Sequence, residues 1–359
     1  MKNVYFTAGP AELYPTVYQH LQTAMDEQIG SISHRSQQFR AIYQYTVEQL
    51  RELMQIPETH GIFFTGSASE VWERLALNCV EHESFHLVNG SFSKKCYDYA
   101  RSLHKFAHKQ EKPFGEGFDY GDVQVPDYAE LIALTHNETS AGVQMRPVDM
   151  HKLKRSHAQK LVAVDMVSSA PYPDLDFGLI DSAYFSVQKA FGMPAGLGVW
   201  IAGERCLAKA ESLKAAEQNI GAHHDLPTLW KAFKTYETPA TPNVLLIYLL
   251  GKIANDLNEI GIEVVRQQTD DNARMLYKFL EAHPGFEPFV KEERHRSRTV
   301  VVANTVKPSS EIIAEVKKEK MIVGSGYGQF KDSQIRIANF PATSEEQLQA
   351  LIRVLERVG

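Results

Sequence analysis

The stretch Leu161–Gly198, LVAVDMVSSAPYPDLDFGLIDSAYFSVQKAFGMPAGLG, constrains the chain most. It reads as strand, connection, strand. Leu161 to Val164 is a short apolar run stopped by Asp165, and Asp181 to Val187 is a second run stopped by Gln188 and Lys189. A Gly/Pro-rich loop, Gly192 to Gly198, follows. In an open α/β sheet, ligands bind outside the carboxyl ends of the strands, so both side chains can reach one pocket.

Taken singly, an Asp at a strand end is a cap or turn former, and a lone Lys is a solvated surface charge. Taken together, an acid and a lysine at neighbouring strand ends suit pyridoxal phosphate chemistry. The lysine can form a Schiff base with the cofactor aldehyde, and the acid can keep the pyridine nitrogen protonated so that the ring acts as an electron sink.

Repeated strand-end signals support the second reading. His60–Phe64 reads as a strand, followed by the small-residue loop TGSASE and a helix with Val71, Leu75 and Cys79 at helical spacing. Such a helix start either binds an anion through its amides or is a plain N-cap by Ser67 or Ser69. No Gly-Lys-Ser/Thr closes the loop, so it is not a nucleotide P-loop. Phe85–Asn89 reads as a strand leading into Gly90-Ser-Phe-Ser, where Phe92 can lie against an aromatic ligand or fill the core. Residues 123–135 read as a helix and a strand, leading into polar Asn137, Glu138 and Thr139. This alternation from about residue 60 to 200 predicts an α/β fold with a mainly parallel sheet.

The remainder reads as helices over 16–55 (interrupted near Gly30), 204–218, 243–260, 262–282, 309–319 and 344–357. Strands are expected at 199–202, 298–303 and 334–338, the last carrying Arg336. Three units are expected: an N-terminal arm, 1–15, a large domain, 16–245, and a small α+β domain, 246–359. At 359 residues the chain exceeds what one core usually supports. A net charge of −6 gives no electrostatic case for nucleic acid or an anionic membrane. No apolar run approaches the roughly 20 residues of a membrane helix, and no secretory h-region is visible. Cys79, Cys96 and Cys206 form no metal pattern, which suits a reducing cytoplasm.

FTAGPAELYP, ISHRSQQF, TGSASE, NGSF, HNETSAG, VDMVSS, SVQKAFGMPAGLG, ETPATPN and IRIANF occur in that order over nearly the whole chain. They resemble the class-V, fold-type I aminotransferases, most closely the phosphoserine branch. That resemblance implies a fold-type I pyridoxal 5'-phosphate transferase, a homodimer with shared active sites acting on an amino acid and a 2-oxo acid. Lys189 would be the Schiff-base lysine and Asp165 the partner of the pyridine nitrogen. Gln188, Ala68 and Ser69 would meet the cofactor phosphate, Phe92 would stack on the ring and Thr139 would sit near the 3-hydroxyl. Thr238 would reach the neighbouring subunit's phosphate. Arg336 would clamp the substrate α-carboxylate, and His34 with Arg35 would serve the side-chain anion. The reaction implied is transfer of the amino group of glutamate to 3-phosphohydroxypyruvate, giving phosphoserine in serine biosynthesis.

Three departures from the branch point to a second reading, a transaminase of small amino acids such as alanine or serine with glyoxylate. TGSASE lacks an arginine. Glu237 replaces an amide, and a carboxylate beside a phosphate is repulsive unless it turns away. The region Gly324–Lys331 lacks a His-Arg pair and offers only Lys331 as a cation. A cysteine desulfurase would need a reactive cysteine beyond Cys206. A non-catalytic binding protein on the same fold would be expected to lack Lys189, which is present.

Overall fold

A computed structural model describes residues 2–359. A seven-stranded sheet lies at its centre, in the spatial order 60–65, 198–203, 182–186, 161–165, 131–135, 83–88, 106–111. Glu83–Val88 pairs in parallel with Phe106–Glu111 and Leu131–Thr135. Leu131–Thr135 pairs in parallel with Leu161–Asp165, and that strand in turn with Ser182–Ser186. Gly198–Gly203 alone runs antiparallel to its neighbours. The carboxyl ends of the other strands therefore share one edge.

Every residue of His60–Thr65, Leu161–Asp165, Ser182–Ser186 and Gly198–Gly203 is buried. Their side chains alternate between two apolar layers. Ile62, Phe64, Val162 and Val164 pack on one face with Phe39, Leu50 and Ile247. Phe63, Leu161, Ala163 and Trp200 pack on the other with Trp72, Leu75 and Trp230. Burial on both faces is why these strands are continuous apolar runs rather than alternating ones.

A second, five-stranded sheet has the order 4–6, 321–325, 334–338, 300–305, 286–288. Val4–Phe6 joins it in parallel with Met321–Val323, so the start of the chain is woven into this C-terminal sheet. Helices Ile262–Ala282, Ser309–Lys318 and Glu345–Val358 supply Leu276, Ile312 and Leu351 to its core. Ile335 and Ile337 point into that core, so Arg336 between them points the other way, toward the large sheet.

The expected helix within 123–130 does not form. Pro126 interrupts it, and the segment is instead tied to an edge strand, with the Gln124 amide donating to Gln110 Oε1 at 3.0 Å. Strands Phe106–Glu111 and Met321–Ser325 and the helix Leu226–Phe233 stand where no element was read. No helix among the described residues is long and apolar enough to cross a membrane.

Gly198 lets the antiparallel strand approach the turn that enters the helix Ala68–Cys79. A Cβ there would overlap the Ser67 carbonyl carbon and the Ala68 amide nitrogen. Neither backbone can yield without moving the turn, so Gly198→Val should cost about 1–3 kcal/mol. Urea denaturation checks this, and an unshifted midpoint would contradict it.

Candidate active site

The shared strand edge opens into a cavity of about 170 Å³. Each wall is built by a turn that leaves a strand. The turn after His60–Thr65 brings Ser67, Ala68 and Ser69, and the start of the helix Ser91–Ser102 brings Phe92. Asn137 and Thr139 follow Leu131–Thr135, Asp165 ends its own strand, and Gln188 and Lys189 follow Ser182–Ser186. Seven of the residues singled out from the sequence thus line one cavity: Ala68, Ser69, Phe92, Thr139, Asp165, Gln188 and Lys189.

Asp165 is buried with no cation in contact. Its Oδ1 accepts from the Val167 amide at 2.9 Å and its Oδ2 from Trp72 Nε1 at 3.3 Å. Burial pushes its carboxyl up to about 7 against the pull of the Val167 amide. The Glu138 charge raises it further, while Trp72 and Lys189 hold it down. Lys189 moves the other way. Burial lowers its amine to about 8, the Arg336 charge lowers it further, and Asp165 opposes both. Its Nζ donates to the Ala8 carbonyl at 2.5 Å. The N-terminal arm lies directly over the lysine, and a Cβ at Gly9 (φ +129°) would overlap its side chain.

Glu138 fixes the Phe92 wall. Its carboxylate is buried and accepts from the Phe92 amide at 3.2 Å and from Ser93 N and Oγ at 2.8 Å, which ties down the start of the helix. Thr139 is oriented by donating to Ser168 Oγ at 2.7 Å, and Asn137 Nδ2 donates to the same hydroxyl at 2.8 Å. Arg336 reaches the cavity rim from the second sheet, its Nη1 donating to the Thr139 carbonyl at 3.3 Å. Among the described residues it has no carboxylate partner.

Several features accommodate an aromatic, phosphorylated ligand. Gln188 Oε1 and Asn137 Oδ1 are buried acceptors without partners, and such atoms in a native site call for a ligand or water. Ser67 precedes the helix Ala68–Cys79 but makes no capping hydrogen bond, and Glu70 is occupied by the Gly66 amide and His224. Ser186 Oγ takes the Ala68 amide at 2.9 Å, so the helix start offers the cavity its dipole and Ser69, an anion site. Phe92 offers a ring, Asp165 an acceptor for a protonated pyridine, and Lys189 an amine. The residues fit pyridoxal phosphate.

Three sequence candidates stand apart. Thr238 lines a separate cavity of about 260 Å³ with Thr65, Glu70, His223 and His224, and its buried Oγ1 has no partner. His34 is half-buried and Arg35 exposed. Arg35 Nη1 lies 3.4 Å from Glu237 Oε2, and Arg40 pairs with the other oxygen of the same carboxylate. Glu237 thus turns toward two guanidinium groups. Lys331 is exposed, and its carbonyl accepts from Ser309 Oγ at 2.7 Å. Sequence reasoning missed Trp72, Ser168, Ser186 and Arg40. The signal for Trp72 was its place one turn after Ala68 on the same helix face.

Asp165 titrates at about 7 in the folded chain, above its ordinary 3.8. On raising the pH the unfolded chain therefore loses its proton first. This group's contribution to stability is fully present below about pH 4 and is lost as pH rises through 7. Cofactor-free protein should lose up to ~1.4 kcal/mol per pH unit across that window. Asp165→Asn should remove that component, as denaturation midpoints measured across the window will show. An identical slope in the variant would contradict the assignment.

The sequence profile of the class-V aminotransferases matches residues 122–350. A putative phosphoserine aminotransferase of Mycolicibacterium paratuberculosis is 28% identical over 98% of this chain and 94% of its own length. The crystal structure of a phosphoserine aminotransferase from Cytophaga hutchinsonii superposes with a TM-score of 0.97 at 46% identity, covering 99% of this chain and 98% of that one. A ureidoglycine–glyoxylate aminotransferase from Bacillus subtilis shares the fold, with a TM-score of 0.86 at 20% identity over 100% of this chain and 94% of that one. The chain belongs to the class-V aminotransferases: it is a pyridoxal-phosphate-dependent enzyme with the fold-type I architecture, acting on amino acids and oxo acids.

Proposed function

We propose that the enzyme transfers the amino group of glutamate to 3-phosphohydroxypyruvate, forming phosphoserine and 2-oxoglutarate in serine biosynthesis, as a cytoplasmic homodimer. The observation that carries this reading is Arg336, a guanidinium without a carboxylate partner at the rim of the Lys189 cavity, in a chain 46% identical to a phosphoserine aminotransferase.

Bound pyridoxal phosphate supplies an electron sink conjugated to the substrate Cα. Ala68, Ser69 and Gln188 would hold its phosphate at the helix start, and Phe92 would face its ring. Asp165 holds a proton on the pyridine nitrogen. A protonated pyridine nitrogen beside it would return the carboxylate to its charged form, because the opposite charge would offset the burial that raises it. Lys189 would hold the cofactor through its Nζ, and the same amine would take the proton from the substrate Cα. An amine lowered to about 8 is neutral in a useful fraction near neutrality. Arg336 binds the α-carboxylate in a two-pronged fork and so sets which Cα bond faces the ring. Ala8 and Gly9 lie against the lysine side chain.

Residues 16–245 form the cofactor-binding unit in this reading, and 246–359, with strand Val4–Phe6 added to its sheet, the unit that brings Arg336. Thr238, His34 and Arg35 serve the neighbouring subunit's cavity. What supports this is that none of them lines the cavity of its own chain, and that Thr238 Oγ1 is a buried polar atom without a partner.

A second reading, transamination of alanine or serine with glyoxylate, is favoured by Glu237, which occupies the guanidinium of Arg35 instead of leaving it to a substrate anion. Purified enzyme supplied with glutamate and 3-phosphohydroxypyruvate should form phosphoserine. Turnover confined to alanine or serine with glyoxylate would establish the second reading instead.

A further inference from the structure

Residues 324–331, which lack the His-Arg pair of the phosphoserine branch, place Tyr327 at the cavity rim. Its ring lies 5.4 Å from that of Phe92, centroid to centroid, with the planes 50° apart. The Arg336 guanidinium stands 5.4 Å from the Tyr327 ring. Arg336 Nε also donates to the Ser325 carbonyl at 2.8 Å, which binds this segment to the strand carrying the carboxylate clamp.

A second cation completes the arrangement. Lys95 follows Phe92 by three residues on the helix Ser91–Ser102, so the two share a face. Its Nζ lies 5.2 Å from the Phe92 ring and 5.7 Å from the Tyr327 ring, and donates to the Tyr327 hydroxyl at 3.1 Å. The adjacent Lys94 is neutralised by Asp98 at 2.6 Å, whereas Lys95 pairs with no carboxylate among the described residues. Two rings and a hydroxyl hold this ammonium, and contacts of that kind are weak beside a bond to an anion.

We propose that Lys95 and Tyr327 form the subsite for the distal anion of the substrate, a phosphate monoester or carboxylate on the carbon chain beyond Cα. The inference rests on the phosphoserine reading and deepens it by naming residues of the same subunit that select a doubly anionic substrate. The donors converge. Ammonium has only donors, so Lys95 uses one N–H on the Tyr327 oxygen and keeps two to offer. Tyr327 accepts through its oxygen, which leaves its own O–H free to donate to the same anion. Lys95 and Arg336 both contact one ring, so their separation is at most about 11 Å, the sum of their distances to its centroid. A short amino acid with an anion at each end, making charge-assisted contacts of about 2.8 Å to both cations, spans a gap of that order. Phe92, part of both the cofactor cavity and this cluster, joins the subsite to the reacting centre.

The test uses the full-length holoenzyme and calorimetric titration with 3-phosphoglycerate. That probe carries the carboxylate and the phosphate but has no amino group to react, and glycerate is its control without phosphate. The wild type should bind 3-phosphoglycerate at least tenfold more tightly than glycerate. Lys95→Gln should abolish most of that preference while leaving glycerate affinity within about twofold, Tyr327→Phe should reduce it severalfold, and Lys95→Arg should retain it. In steady state, Lys95→Gln should raise the KM for phosphoserine at least tenfold with little change in kcat. Wild-type turnover of phosphoserine with unaltered binding and KM in Lys95→Gln would overturn the subsite alone. Failure of the wild type to turn over phosphoserine would overturn the substrate reading, and the subsite with it.

Discussion

The structure depends on keeping an unpaired carboxylate, Asp165, in a dry place beside an amine. A charge buried without a partner is costly, and the chain tolerates it by two means. The Val167 amide and the Trp72 indole each donate to it, and the group rises to about 7, where it can give up its charge when no cation faces it. Lys189, lowered to about 8, makes the matching adjustment. Both groups are held poised between their protonation states, which is what a site needs if one is to carry a proton and the other to act as nucleophile and base.

That pairing explains the surrounding architecture. Four fully buried strands supply the dry environment, and the common direction of the whole sheet, broken only by Gly198–Gly203, brings the turns after His60–Thr65, Glu83–Val88, Leu131–Thr135, Leu161–Asp165 and Ser182–Ser186 to one edge. Glu138 is a buried carboxylate of another kind, saturated by serine hydroxyls and backbone amides, and its task is to hold Phe92 in position. The second sheet approaches from outside with Arg336. The start of the chain closes over Lys189 through Ala8, after contributing Val4–Phe6 to that second sheet.

Much of this was legible in the sequence because burial on both faces turns central strands into apolar runs, and the residue ending each run falls on the ligand edge. Asp165, Lys189, Gln188 and Thr139 came from that pattern with the family resemblance. What escaped had its cause elsewhere in the chain. Phe106–Glu111 is a strand only because Glu83–Val88 pairs with it, and its polar sequence carries no local sign. Residues 123–130 are kept from helix by Pro126 and by Gln110, a side chain on a separate strand. Trp72 is one apolar residue among several on its helix, and only the fold puts its indole on Asp165. Glu237 looked like a repulsive neighbour for a phosphate, and only folding reveals that Arg35 and Arg40 turn it aside.

Lys189 is the residue we propose to carry the cofactor. The most direct measurement is borohydride reduction of the holoenzyme followed by peptide mass mapping. The reduced pyridoxyl group should be found on Lys189, and Lys189→Ala should retain no covalently fixed cofactor after the same treatment. Fixation on any other lysine, or undiminished fixation in Lys189→Ala, would contradict it.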